Sequence, residues 1–308
     1  MSQRSSLFLN DVTIIDHAYM DEKGIIRGGT YRPEFIITGE VIGDEQVVVD
    51  FSALKKQVKA IIDDKHQGFD HKLIVPRAHF QDVTKVVGTD NFEINNHYGK
   101  VQLPQDAIRF IDVEHVTTNS FAAELAKYVQ NQLRMVHYPD LDIQVYCELN
   151  NTPTLLSDGN DVFRCYRMFH YTHGLKNSSS YGCQNIAHGH RSFVQPLFRG
   201  GASEFDAELV KAAFDAVQED VDHAVFIFRE NLLSEDDRWV RIRYTTERGT
   251  FFAVYDRTVY NIHILDTETT IEHLVDYVAA RHGEKFKAAG FHALAVSEGL
   301  TKGSVVDL

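Results

Sequence analysis

Three histidines in the second half of the chain have the types and spacing of a metal site. His188 and His190 are separated by one glycine, and His173 precedes them. Residues i and i+2 of a strand point to the same face, so this pair predicts two imidazoles aimed at one ion. With His173 on a neighbouring strand, three nitrogen ligands and an open fourth position predict a catalytic zinc (Zn2+) site. A solvated strand face is the competing interpretation.

A cysteine lies shortly before this histidine pair. Cys183 is flanked by glycine and glutamine. A thiol near a divalent cation and imidazoles can have a lowered pKa and act as a base or nucleophile. The competing interpretation is a small buried hydrophobic side chain, which is what we expect of Cys147 and Cys165. We therefore predict that Cys183 is catalytic.

Two Asp-His dipeptides occur at similar places in the two halves. They are Asp70-His71 and Asp222-His223. A carboxylate that orients an imidazole can tune it for proton transfer. A surface helix end is the alternative for either dipeptide, but the recurrence favours a shared role in catalysis.

Two glutamates each follow an apolar alternation late in their half. Glu148 follows the first alternation and Glu298 the second. A carboxylate at such a point can accept two hydrogen bonds from a planar N–C–N–H system such as an aminopyrimidinone. We predict that both bind substrate, with a solvent-facing strand end as the alternative.

The order of these residues predicts a tandem duplication. From His17 to Asp70 is 53 residues, and from His173 to Asp222 is 49. Such an ordered series with matching residue types indicates two copies of one unit. Where the second copy has His-x-His, the first has Arg, Gly and Gly at positions 27–29. We therefore predict a degenerate first unit without metal.

The elements that must position these residues follow from apolar periodicity. Each half is predicted to contain two strands, two helices and two further strands, with helices on one face of an antiparallel sheet, an α+β fold. Thr269, with Glu272 three residues later, predicts a capping box at a late helix. Turn formers at 151–161 separate the halves. The predicted units are 1–153 and 162–308.

Composition excludes several classes of protein. The chain has 308 residues, 44% of them apolar and 24% charged, as in a globular protein. A net charge of −13 argues against nucleic-acid binding, which depends on Lys and Arg. No apolar run reaches the roughly 18 residues of a membrane helix, or the roughly 7 of an export signal near the N-terminus. With three cysteines, we expect a cytoplasmic protein without membrane or nucleic-acid partners.

Together the motifs resemble those of the 6-pyruvoyltetrahydropterin synthase and 6-carboxytetrahydropterin synthase family, which has the tunnelling fold (T-fold). In the second half the resemblance rests on Phe169–Leu175, Cys183, His188-Gly-His190, Asp222-His223, Thr269–Leu274 and Glu298. In the first half it is partial and rests on His17, Asp50–Leu54, Asp70-His71 and Glu148. The glycine that follows Glu298 departs from the family pattern, which usually has threonine.

The resemblance implies roles for the matched residues: zinc ligands (His173, His188, His190), catalytic thiol (Cys183), proton-relay pair (Asp222, His223) and pterin anchor (Glu298). It implies a zinc-dependent lyase that acts on a pterin like dihydroneopterin triphosphate, in pterin or deazaguanine (queuosine-type) biosynthesis. Family active sites form between neighbouring units. Asp70-His71 of the first unit is therefore an equal candidate for the relay pair.

The resemblance also implies an assembly. T-fold units have open sheet edges, and several units close them into a β-barrel with the helices outside, so we expect a homo-oligomer. Two other functions compete with the lyase. One is a non-catalytic tunnel-fold module that binds a pterin- or purine-like ligand, and the other is a different T-fold enzyme.

Overall fold

The structure is a computed structural model that describes residues 4–41, 46–136, 138, 140–148, 166–197 and 206–308. Cys165 and the side chain of Glu148 lie outside the described part. Strands and helices alternate along the chain in a mixed α+β arrangement, as expected. No helix in the described ranges has both the length and the apolar character needed to cross a membrane.

The first half contains nine strands and two helices within these ranges. They are β1 (Arg4–Leu9), β2 (Ile15–Met20), β3 (Ile26–Glu40), α1 (Phe51–Ile62), β4 (Leu73–Pro76), β5 (Val83–Lys85), β6 (Asn91–Asn96), β7 (Gly99–Pro104), β8 (Ile108–Ile111), α2 (Thr118–Met135) and β9 (Asp142–Glu148).

The second half, as far as it is described, also contains nine strands and two helices. They are β10 (Arg167–His173), β11 (His188–Leu197), α3 (Ala207–Val221), β12 (Ala224–Phe228), β13 (Leu232–Glu235), β14 (Trp239–Thr246), β15 (Gly249–Asp256), β16 (Asn261–Leu265), α4 (Ile271–Ala288), β17 (Ala293–Glu298) and β18 (Lys302–Asp307).

Each half forms a sheet with the same strand order. The first runs β8-β4-β2-β3-β9, with β1 also paired to β3, and the second runs β16-β12-β10-β11-β17-β18. The prediction of purely antiparallel sheets needs correction, because β4 lies parallel to β2 and β8, and β12 lies parallel to β10 and β16. The connections from β2 to β4 and from β10 to β12 include α1 and α3, and those from β4 to β8 and from β12 to β16 include three strands each, so all four are long enough for parallel pairing.

A third sheet joins the two halves and was not predicted. Its order is β13-β14-β15-β7-β6-β5, and β7 of the first half pairs antiparallel with β15 of the second. The apolar side chains beneath it form a core with residues of both other sheets. The two halves therefore share one hydrophobic core as well as one hydrogen-bonded sheet.

The helices cover the other faces of the first two sheets. In the first half α1 and α2 bury residues such as Leu54 and Phe121, and in the second α3 and α4 bury Phe214 and Phe286. The predicted capping box does not form, because α4 takes Thr270 as its N-cap. Thr269 instead lies against a histidine of the candidate site.

The central strands of the two halves touch where each has a glycine. A Cβ added at Gly189 of β11 would lie 2.6 Å from the Cα of Gly28 in β3. Only glycine permits so close an approach of two backbones. This contact brings β2 and β3 of the first half against the strands that carry the histidines.

Candidate functional site

Three imidazoles converge between β10 and β11. The antiparallel register pairs His173 directly with His188, and His190 lies two residues further along β11 on the same face. All three side chains are buried. One ring nitrogen from each lies within 4.8 Å of the others, and the Nε2 atoms of His173 and His190 are 3.1 Å apart.

The outer nitrogens of two of these rings are held by backbone carbonyls. Nδ1 of His173 lies 2.8 Å from the carbonyl oxygen of Thr269, and Nδ1 of His188 lies 2.7 Å from that of Asn185. Each Nδ1 therefore carries the proton and donates it, which leaves Nε2 with a free lone pair. Nε2 of His188 is buried and has no hydrogen-bond partner among the described residues. A divalent metal would satisfy it.

Burial keeps the imidazoles of His173 and His188 neutral. It lowers the pKa of His173 to about 3, with a further contribution from His190, and it holds the pKa of His188 well below the usual range. Neutral imidazole is the form that binds a metal ion. The donor set, its protonation state and the unpartnered nitrogen all fit zinc.

A thiol, an imidazole and a carboxylate form a chain beside the histidines. Cys183 lies in the loop between β10 and β11, and its Sγ is 3.5 Å from Nε2 of His71. Nδ1 of His71 is in turn 2.6 Å from a carboxylate oxygen of Asp70. The ring centroid of His71 is 5.1 Å from that of His188. The second half thus supplies the thiol, and the first half supplies its acid–base partner.

The charges around Cys183 and His71 favour an ion pair between these two side chains. Burial by itself would lower the pKa of His71, but the charge and hydrogen bond of Asp70 raise it well above the usual value. Burial would raise the pKa of Cys183, but the hydrogen bond and charge of His71 outweigh it and lower that pKa. A thiolate beside an imidazolium is the reactive form of cysteine.

Several polar contacts hold the backbone around His71 and Cys183 in place. His71 has a left-handed conformation with φ of 55°, which is uncommon for a residue with a side chain and often marks a functional site. Asn185 donates to its carbonyl oxygen at 3.1 Å. The buried guanidinium of Arg248 donates to the carbonyls of Tyr181 and Gly182, just before Cys183.

The second Asp-His pair lies in a different cluster. The backbone N–H of His170 donates to Asp222 at 2.8 Å, and the ring of His223 stacks on that of His170 with centroids 5.1 Å apart. His223 has the same left-handed conformation as its counterpart, with φ of 58°. The contacts of Asp222 and His223 are thus with His170, and the structure brings only the other pair to Cys183.

The strand register identifies the first-half counterparts of the three converging histidines. In β2 and β3, Tyr19 pairs with Arg27, just as His173 pairs with His188. Gly29 then corresponds to the third histidine. Within the described residues of the first half, none of these three positions carries a metal-binding imidazole.

His17 is not the counterpart of a zinc ligand, although the repeat spacing suggested it. Its ring stacks between Tyr31 and Phe121, with centroids 4.8 and 5.0 Å away. Burial lowers its pKa to about 4. His17 is therefore a neutral core residue, and its true counterpart in the second half is Tyr171.

The predicted ring anchor Glu298 lies beside the histidines. Glu298 is buried at the end of β17, where one carboxylate oxygen is 3.8 Å from Nε2 of His190 and the other is 2.6 Å from Nζ of Lys302. Burial would raise its pKa, but His190, His173 and Lys302 outweigh burial and lower it. The backbone of Glu148 ends β9 opposite Arg32, and its side chain lies outside the described part.

Three residues at the site were not predicted from the sequence. Asp16, Arg248 and Lys302 reach it from β2, the turn after β14 and the start of β18. Arg248 and Lys302 have no motif around them, and Asp16 begins an Asp-His dipeptide whose imidazole, His17, lies in the core. The nearest hint is the glycine after Glu298, whose departure from the family pattern indicates a changed surrounding.

Comparisons with known proteins give one curated relative and several distant structures. No family model matches the chain. A Methanocaldococcus jannaschii protein, provisionally named 6-carboxy-5,6,7,8-tetrahydropterin synthase, is 25% identical over 152 residues, which cover 47% of this chain and 82% of that protein. A 6-pyruvoyltetrahydropterin synthase mutant of Plasmodium vivax has a TM-score of 0.37 at 19% identity, over 47% of this chain and 91% of its own. The Plasmodium falciparum enzyme has a TM-score of 0.34 at 18% identity, with the same coverages.

The length of the curated relative, as well as its sequence identity, bears on how this chain is organised. Most of that protein aligns with about half of this chain, as expected if this chain contains two related units. The comparison thereby confirms that this chain resembles the 6-pyruvoyltetrahydropterin and 6-carboxytetrahydropterin synthase family.

Proposed function

We propose that the protein is a zinc-dependent lyase that acts on a pterin similar to dihydroneopterin triphosphate, in pterin or deazaguanine (queuosine-type) biosynthesis in the cytoplasm. One observation carries this proposal. It is the contact of Cys183 with a His71 that Asp70 supports, beside three imidazoles whose free nitrogens converge. A metal site, a base and an acid–base relay are what elimination from a pterin side chain requires.

The metal would be held by His173, His188 and His190. When bound there, zinc supplies a Lewis acid that acidifies a substrate hydroxyl and the neighbouring C–H bond. The protein offers three imidazoles. Backbone carbonyls accept from Nδ1 of His173 and His188, and a carboxylate oxygen of Asp16 lies 3.2 Å from Nδ1 of His190. The remaining ligand position stays open to substrate.

We assign proton transfer to Cys183, His71 and Asp70, which come from both halves of the protein. Sγ of Cys183, as a thiolate, accepts a proton from a side-chain carbon of the substrate. The Nε2–H of His71 stabilises the thiolate and returns a proton to substrate later in the cycle. Asp70 holds His71 in its charged form through Nδ1. We therefore assign the relay to Asp70-His71, with Asp222-His223 in a separate cluster.

The ring of the substrate would bind to Glu298. Its carboxylate is ionised and buried, and can accept two hydrogen bonds from an N–C–N–H edge once Lys302 moves aside. Glu148 of the first unit is the candidate for a second anchor.

We propose that 1–153 and 162–308 are tandem T-fold units, and that chains assemble into a homo-oligomeric barrel. Among the described strands, β9 pairs with β3 alone and β18 with β17 alone. Such edges present unpaired backbone groups that another chain can cover. The match in strand order between the two sheets supports the tandem arrangement.

The direct test is a turnover assay on the zinc-loaded protein and its Cys183→Ala variant. With dihydroneopterin triphosphate as substrate, we expect triphosphate release and a new pterin from the wild type. We expect one zinc per chain in both proteins, but no product from the variant. Full activity in Cys183→Ala would contradict the role of the thiol. Pterin binding that depends on Glu298, without any product, would instead support the non-catalytic binding module.

A further inference from the structure

Asp16 of the first half lies against a histidine of the candidate metal site in the second half. Its carboxylate Oδ1 is 3.2 Å from Nδ1 of His190, and Asp16 is only 5% exposed. The outer nitrogens of the other two imidazoles face neutral carbonyls. His190 is thus the one of the three whose outer nitrogen faces a charged group.

Asp16 is held through its carboxylate and through its backbone. The hydroxyl of Thr30 donates to the same Oδ1 at 2.6 Å. The backbone N–H of Asp16 donates to Asp70 at 3.0 Å, and its carbonyl accepts from the N–H of His71 at 2.6 Å. Asp16 therefore stands between the relay pair and the metal ligands, in a fixed position.

The residue after Glu298 leaves room for this carboxylate. Gly299 has φ of +64°, and a Cβ at that position would lie 2.8 Å from Oδ1 of Asp16. The threonine that the resemblance leads one to expect there would have to displace the carboxylate. The glycine in this chain and the buried aspartate thus form one arrangement.

The two halves differ at this position in a consistent way. Asp16 donates its N–H to Asp70 just as His170 donates its N–H to Asp222, so Asp16 and His170 are counterparts. His190 has Gly29 as its counterpart. The first half thus supplies a carboxylate at the position that faces His190. The second half has His170 at the corresponding position, and the counterpart of His190 in the first half is a glycine, which has no imidazole to orient.

We propose that Asp16 is a positioning residue for the metal site, contributed by the first half of the chain. This proposal rests on the proposed function. With a metal at Nε2, the carboxylate would accept a hydrogen bond from Nδ1–H of His190, fix the tautomer and orientation of the ring, and keep Nε2 directed to the metal. The first half is therefore part of the metal site as well as of the relay.

The test is the zinc affinity of Asp16→Asn. The asparagine side chain has the same size as that of aspartate and still has an oxygen that can accept from Thr30. It removes the negative charge beside His190. We expect zinc binding to weaken by about 10- to 100-fold, measured by competition with a chromophoric chelator. The visible spectrum of the cobalt-substituted protein should change as well, because the ring is free to turn.

The matched control is His170→Asn, at the same position of the other half. It should leave zinc affinity and the cobalt spectrum unchanged. Thr30→Val keeps the aspartate but removes its support, and should weaken zinc binding in the same direction to a smaller extent. This second variant gives the answer if Asp16→Asn does not fold.

Two outcomes would overturn the inference, and they are distinguishable. If the wild type binds zinc and turns over substrate but the affinities of Asp16→Asn and Thr30→Val match it, Asp16 has no positioning role and the proposed function stands. If the wild type binds no zinc even when zinc is supplied, the proposed function fails and this inference fails with it.

Discussion

Nε2 of His71 lies 3.5 Å from Sγ of Cys183, and these two atoms belong to residues 112 positions apart in opposite halves of the chain. The contact depends on how the halves meet, because β3 and β11 touch at their glycines and the third sheet continues from one half into the other. An active site built on this contact needs both halves.

The two Asp-His pairs should differ in their effect on catalysis. We expect His71→Gln to lower kcat by roughly 100-fold or more, because it removes the acid–base group that touches Cys183. His223→Gln, at the equivalent position, should change kcat by less than about threefold. Steady-state kinetics of both zinc-loaded variants provide the measurement. A larger loss in His223→Gln would move the relay to the second pair.

The reactivity of Cys183 should show a lowered thiol pKa. The ion pair with His71 favours thiolate, so alkylation by iodoacetamide should remain fast below the pH of about 8.5 at which a free thiol titrates. The rate should fall as acid protonates the thiolate. In His71→Gln, the hydrogen bond and charge that outweigh burial are lost, and the profile should shift to higher pH. Peptide mapping of the labelled residue, with zinc and after chelation, separates this thiol from the other cysteines.

The carboxylate of Glu298 should contribute to pterin affinity, whereas its lysine partner should not. Glu298→Ala removes a charged acceptor of two hydrogen bonds and should weaken binding by roughly 10- to 100-fold. Lys302→Met frees that carboxylate from its 2.6 Å ion pair and should not weaken binding. Calorimetry with neopterin measures both. An equal loss in the two variants would show that the ion pair itself binds the ligand.

The buried Arg248 should stabilise the fold more than a surface arginine does. Its side chain is 1% exposed and bonds to the carbonyls of Tyr181 and Gly182. Arg248→Met leaves these acceptors and Asp106 without their partner, and should lower the free energy of unfolding by about 3–5 kcal/mol. Arg77→Met, which breaks an exposed ion pair, should cost about 0–1 kcal/mol. Urea denaturation compares the two, and similar losses would contradict a special role for Arg248.

Features that depend on near neighbours could be predicted from sequence patterns. His188 and His190 point to one face because a strand repeats every two residues, and the register of β10 and β11 then adds His173. The α+β class and the resemblance to the pterin synthases followed from such local patterns and their order. These features need no knowledge of the partner surface.

Features that depend on distant contacts became visible only in the tertiary structure. It determined which Asp-His pair meets Cys183, replaced His17 by Tyr19 as the counterpart of a ligand, and placed Asp16 behind His190. An offset of two residues changes a repeat spacing very little, yet it changes which side chain corresponds to a residue of the site. Contacts between the halves arise when whole sheets pack together. No local sequence pattern specifies which residues then become neighbours.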